Sequence, residues 1–206
     1  YKEIMKKSET SLLGMNWHSA DIYAEWLAQT YFFVRYSTRI IGVAGSLFDL
    51  SKNEYHLRFM VHEGEEKNHE KLLVQDLKIL GKKVTDFVPT YSADSFYQTQ
   101  YYWIQHVSPI SVYGYFFFLE GLAVEFGGKI LEKVKKSHPE KATSFLKVHV
   151  NEDPHHVEEH FQFVKNATSQ EFEQMGRNME QSCFLYHQML RQISEMKMFA
   201  AQKRAA

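Results

Sequence analysis

A chain of 206 residues with 44% hydrophobic composition carries enough apolar material for one buried core, and its length argues for a single domain spanning 1–206. Its 24 lysines and arginines balance 25 acids to a net charge of -1, so neither a nucleic acid nor an anionic membrane surface is an expected partner. The single cysteine, Cys183, excludes an internal disulfide and a Cys-x-x-Cys pair, and a reducing cytoplasm is the expected setting.

The opening, YKEIMKKSET, carries neither an initiator methionine nor an apolar signal segment, as expected of a chain trimmed at its start. With four prolines and ten glycines, the long stretches between them follow helical rather than alternating periodicity, which predicts an all-α bundle. A first helical region covers about 19–48, with Ser19 as its N-cap, as two helices or one kinked between Tyr36 and Gly42. The next follows DLSKNEY and ends at Gly81, which suits a left-handed C-cap. KKVTDFVPTYSAD is the clearest loop. Helices are then expected over about 93–106, 109–137, 140–166 and 169–202, separated at Ser108-Pro109 and His138-Pro139. The apolar run YGYFFFLEGLAVEFGG is interrupted by Glu120 and Glu125 and falls short of the roughly 20 residues of a spanning helix, so it reads as a buried helix. The closing AAQKRAA is expected to fray.

Histidine, at 11 copies, is the compositional outlier. In FLKVHVNEDPHHVEEHFQ the residues His149, Asp153 and His156 fall within roughly a 60° arc of one helix face, and His160 continues that face. Two imidazoles and a carboxylate form a nitrogen and oxygen set suited to iron or manganese. Pro154 either kinks this helix or opens a new one capped by Asp153. Glu66-x-x-His69 places a carboxylate and an imidazole one turn apart, the unit that binds iron in helical diiron proteins. Glu120 lies among residues that must be buried, where a lone carboxylate costs several kcal/mol unless it is neutralised, paired or metal-bound. Together Glu66, His69, Glu120, His149, Asp153 and His156 offer three carboxylates and three imidazoles, an inventory able to hold two metals about 3.5–4 Å apart.

With those residues in hand, the chain resembles the haem-oxygenase-like diiron oxidase and oxygenase family. The likeness rests on EEKNHEKLLVQDLKILG, YGYFFFLEGLAVEFG and HVNEDPHHVEEH in that order. The resemblance implies a bundle of about seven helices, shared with TenA thiaminases and the pyrroloquinoline-quinone synthase. It also implies a labile pair of Fe(II) ions that activates dioxygen, with Glu66, His69, Glu120, His149, Asp153 and His156 at the ligand positions. Glu63 and Glu65 are alternatives to Glu66, because the spacing of the first glutamate varies among members. Glu63, Glu125, His160 and His187 are candidate outer groups that orient ligands. Members oxidise fatty acids, amino acids and guanidino derivatives, so the expected substrate is a small amino-acid-like or fatty-acid-like metabolite. Arg35 and Arg39 are the cations available to clamp an amino-acid substrate.

Four rival readings use the same residues. A ferritin-like iron site would pair Glu152-x-x-His155 with Glu66-x-x-His69 and draw on Glu25 and Glu120. A TenA-type hydrolase would need Cys183 as nucleophile, but EQSCFLYHQML reads as a buried helix with an inert thiol. A haem protein would leave Glu120 unexplained. A metal-free interaction protein would make the acids and histidines incidental. SFYQTQYYWIQH is expected to serve as core or as the interface of a homodimer, and MLRQISEMKM as packing.

Overall fold

The computed structural model describes the backbone of residues 1–205 and the side chains of residues 1–195. Ten α-helices among them line up as seven rods: α1 (Lys2–Leu13), α2 (Ala20–Val34) with α3 (Ser37–Ser46), α4 (Asn53–Glu65) with α5 (His69–Ile79), α6 (Tyr91–His106), α7 (Tyr113–Leu122) with α8 (Gly128–Lys135), α9 (Ser144–Val164) and α10 (Ser169–Ala205). The expected all-α bundle is observed, and its breaks have local causes. Ser19 caps α2, its hydroxyl accepting the N–H of Ile22 at 3.4 Å, and the predicted kink falls at Arg35 and Tyr36. Gly81 takes the left-handed conformation at φ 73 after α5. Thr90 caps α6 through the N–H of Ala93, so that helix begins two residues earlier than its periodicity indicates.

Three features differ from the sequence-based expectation. Helix α1, within the opening segment, was not foreseen, although Met5, Ser8 and Leu12 bury one face of it against the bundle at the 3 and 4 spacing of a helix. The predicted helix ending at Gly81 is two helices, because Asn68 adopts a left-handed conformation at φ 75 between α4 and α5. Asparagine tolerates that conformation better than most residues. Pro154 neither ends α9 nor starts a new helix, since α9 is continuous from Ser144 to Val164 with the proline inside it. The last rod extends to Ala205. The side chains of the segment expected to fray, and those of Met196 and Met198, lie outside the described residues.

The rod formed by α7 and α8 sits at the centre. Nine of the ten residues of α7 are buried, the pattern of a helix surrounded on all sides. With the 3-10 turn Pro109–Val112, this stretch reaches 27 residues and matches a membrane span in length and apolarity. Yet 78% of its apolar window is buried inside the protein, as expected of a core helix. Between α7 and α8 the backbone forms one π turn, Ala123–Gly127, directly after Glu120. Such turns are frequent at functional sites.

Helix α9, which carries the histidine motif, is anchored from outside itself. Asp76 on α5 is fully buried, and its two oxygens accept the N–H groups of Ser144 and Phe145 at 3.0 Å each. Those donors have no partner within the helix, so a distant carboxylate acts as the cap. Asp76→Ala is therefore expected to lower stability by about 2 kcal/mol, read from urea denaturation. Asparagine, with one acceptor in place of two, should recover only part of the loss. An unchanged midpoint in Asp76→Ala would show that the cap contributes nothing.

Candidate metal centre

Three rods bring the acids and imidazoles together. Helix α4 buries His62 in its last full turn, and Glu66 closes it with a backbone N–H to the His62 carbonyl at 3.0 Å. The left-handed turn at Asn68 then starts α5 at His69. Glu66 and His69 consequently face each other across the short turn between α4 and α5, with Nδ1 of His69 3.2 Å from Oε2 of Glu66, and not along one helix as expected. Helix α9 stacks His149, Asp153, His156 and His160 at spacings of four, three and four, and α7 adds Glu120 from the core.

Among the described residues two groups of three emerge, Glu66 with His69 and His149, and His62 with Glu120 and His156. Within each group the ligand atoms lie within 4.8 Å of one another. Asp153 stands between the groups, its Oδ1 3.1 Å from Nδ1 of His149 and 3.7 Å from Nδ1 of His156. Glu66 also spans them, with Oε1 3.9 Å from Nε2 of His62. His62 Nε2 lies 3.3 Å from Oε1 of Glu120, and His160 Nε2 lies 2.8 Å from Oε2 of the same carboxylate.

Most of these contacts lack the alignment of hydrogen bonds. Nε2 of His62, Nδ1 of His69, Nδ1 of His156, Nε2 of His149 and Oε2 of Glu120 are buried without an aligned protein partner, whereas His149 to Asp153 is aligned. Buried polar atoms seldom go unpaired. Lone pairs converging from several helices without bonding one another are what a divalent metal satisfies. The mixed imidazole and carboxylate donors, with no thiolate, fit iron or manganese.

The charges agree with such a site. Burial alone would push the Glu66 carboxyl up, but the His69 imidazole and the charges of His149 and His62 outweigh it and hold the group at about 2. For Glu120 burial is likewise outweighed, by His160 and His62, and its carboxyl sits well below the usual range. Burial opposes charge on His149 and His156, yet Asp153, Glu66 and Glu120 raise both to about 9. His160 moves the other way, because its burial outweighs the pull of Glu120.

All six residues expected as ligands meet at this place, and His62 joins them unforeseen. A signal was present, since His62 precedes Glu66 by four residues and His69 by seven, one and two helical turns. Of the alternatives to Glu66, Glu63 lies against Gly42, and Glu65, 3.6 Å from Nε2 of His156, is engaged by Arg58 at 3.0 Å. Arg58 is itself buried and also pairs with Glu159 at 2.7 Å, forming an ionic layer behind His156. His160 touches Glu120 directly, as a group orienting that carboxylate would. Glu125 is exposed on the π turn and faces Tyr1, whose hydroxyl is pushed up to about 12 by burial and then by the Glu125 and Glu120 charges. His187 lies away from the centre, its Nε2 3.1 Å from Ser8 Oγ and 3.8 Å from Cys183 Sγ. Arg35 stacks over Tyr31, Phe32 and Tyr36, while Arg39 is exposed, and neither lines the cavity described below. Of the ferritin-like set, His155 is 73% exposed, and buried Glu25 accepts a hydrogen bond from Gln29 at 2.9 Å.

A cavity of about 110 Å³ opens directly onto His62, Glu66, Glu120, His149 and Asp153. Its remaining walls are mainly aromatic and aliphatic, among them Trp26, Phe33, Ile41, Phe116 and Phe145, and among the described residues no lysine or arginine reaches it.

A family model described as iron-containing redox enzyme matches residues 24–187, a span that includes every residue of both groups. The chain belongs to this haem-oxygenase-like family of iron-containing redox enzymes. Solved structures share its fold at low sequence identity. A domain of unknown function with a haem-oxygenase-like fold from Shewanella denitrificans superposes with a TM-score of 0.86 at 17% identity, over 97% of this chain and 92% of that one. A TenA homolog from Pseudomonas syringae pathovar tomato gives 0.78 at 11% identity, over 94% and 90%. A CADD-like protein of unknown function from Nostoc punctiforme gives 0.72 at 13% identity, over 97% and 94%. A search of curated proteins finds no match.

Proposed function

We propose that this protein is a non-haem diiron oxidase or oxygenase that activates dioxygen against a small, largely apolar metabolite in a reducing cytoplasm. The observation that carries the reading is the pair of imidazole and carboxylate groups, linked by Asp153 and Glu66, at the end of an apolar cavity. When bound, a pair of Fe(II) ions, or manganese in its place, supplies the electrons that reduce dioxygen. The protein supplies the rest. Glu66, Glu120 and Asp153 offset the metal charge, five imidazoles surround the carboxylates, and the aromatic wall keeps water from the reacting face. The apolar lining, with Arg35 and Arg39 outside it, favours an apolar body over a free amino acid.

Anaerobic titration of metal-stripped protein with Fe(II) tests this. About two equivalents should bind per chain, with release of about two protons at pH 7, because His149 and His156 both titrate at about 9 and must become neutral to coordinate. Protonation competes with the metal, so affinity should climb as pH rises toward about 9 and level off above it. Oxygen admitted afterwards should be consumed. No binding, or one weak equivalent without proton release, would remove the diiron reading and leave a helical interaction protein as the better account.

A further inference from the structure

The cavity contains two hydroxyls that the fold does not use. Thr30 on α2 is 3% exposed and Tyr115 on α7 is 2% exposed, both line the cavity, and neither Thr30 Oγ1 nor Tyr115 Oη has a hydrogen-bond partner among the described residues. A helical threonine ordinarily bonds back to the carbonyl one turn earlier, and a buried tyrosine ordinarily finds an acceptor. Both line the same cavity, and the helices that carry them pack on a shared neighbour, Phe96. Phe33, one turn after Thr30, packs on Phe96 with ring centroids 4.8 Å apart, and Tyr115 packs on the same Phe96 at 5.1 Å.

We propose that Thr30 and Tyr115 form a hydroxyl subsite that holds one uncharged hydrogen-bonding group, an alcohol or a carbonyl, of an otherwise apolar substrate. The proposal rests on reading the cavity as the substrate site of the metal centre, and it names what that substrate must carry. Hydroxyls both donate and accept, so they pair with an alcohol or a carbonyl equally well. Among the described lining residues the charged ones belong to the metal groups, where bound metal would offset them, so a carboxylate or an ammonium would gain no counter-charge of its own and its burial would be unfavourable. Burial, and after it the Glu66 charge, pushes the Tyr115 hydroxyl far up, so it remains a neutral donor. The volume, about 110 Å³, is on the scale of cavities that take a benzene-sized body.

Toluene, benzyl alcohol, benzoate and benzylammonium, matched in shape, are the probes. Their binding to the full chain is measured by calorimetry, metal-free and with Fe(II) under anaerobic conditions, for wild type and for Thr30→Val with Tyr115→Phe. Benzyl alcohol should bind wild type more tightly than either charged probe and should lose at least about tenfold in the double variant, while toluene binds the variant as well or better. Removing hydroxyls without partners should also leave the melting temperature unchanged or raised. The proposal is overturned if the variant weakens toluene and benzyl alcohol alike or neither of them. It is equally overturned if a charged probe binds tightest, if none of the four binds, or if the variant melts lower, which would show that the hydroxyls serve the fold. Iron stoichiometry on the same samples separates the two claims. Discrimination without iron binding would retain the subsite and remove the diiron reading, and iron binding without discrimination would do the reverse.

Discussion

On the proposed diiron reading, Asp153→Ala will reduce the Fe(II) bound from two equivalents to at most one, and the affinity that remains will fall about 100-fold. The expectation follows from its position between the groups, 3.1 Å from His149 Nδ1 and 3.7 Å from His156 Nδ1, at 2% exposure. One side chain thus serves both His149 and His156 of α9. The same change alters the metal-free protein in a way that does not depend on iron. Burial already opposes charge on His149 and His156, and Asp153 is the strongest influence raising them to about 9. Without it, both rings should titrate lower, as followed by the pH dependence of their ring-proton resonances. Asp153→Asn keeps the shape and one acceptor, so its iron affinity should fall between those of wild type and alanine. Retention of two full-affinity equivalents by Asp153→Ala would exclude Asp153 from the centre and break the link between the groups.

Gly114→Ala will destabilise the protein by about 3 kcal/mol, a fall in melting temperature of roughly 6–12 °C for a chain of this size. A β-carbon at this position of α7 would stand 2.1 Å from the carbonyl oxygen of Met175 and 2.7 Å from the backbone nitrogen of Met179 on α10. Both obstacles are backbone atoms, so no side-chain rotation relieves them and the helices must separate. Since α7 carries Glu120, that separation should also weaken iron binding. Gly176→Ala on the exposed face of α10 is the control, because nothing lies within 4 Å of its added carbon, and removing a helical glycine should stabilise by about 0.5–1 kcal/mol. Equal melting temperatures for Gly114→Ala and wild type would mean that α7 and α10 do not approach as closely as described.

The parts of the centre legible in the sequence are those fixed by local periodicity. His149, Asp153 and His156 share a face because a helix advances about 100° per residue, and α9 keeps that period straight through Pro154. Glu120 was legible for a different reason, as an acid inside an apolar run with no local means of compensation. Six of the seven rods followed from the same periodicity and from the punctuation by Ser19, Gly81, Pro109 and Pro139, whereas α1 did not.

The selection among equivalent candidates was settled by the packing of distant segments. Glu63, Glu65 and Glu66 are chemically identical, and only the left-handed turn at Asn68 and the grip of Arg58 on Glu65 make Glu66 the one facing His69 and His149. His62 gains its place because α4 lies beside α7 and α9, and no spacing within α4 reveals that neighbour. Arg35 and Arg39 looked available as clamps until the kink between α2 and α3 set them outside the cavity. The sequence by itself determined which helices form and which chemistry they carry, since both depend on neighbours a few residues away. Only the tertiary structure decided which carboxylates and imidazoles meet, because buried charge is tolerable only where a compensating group from another helix arrives within a few ångströms.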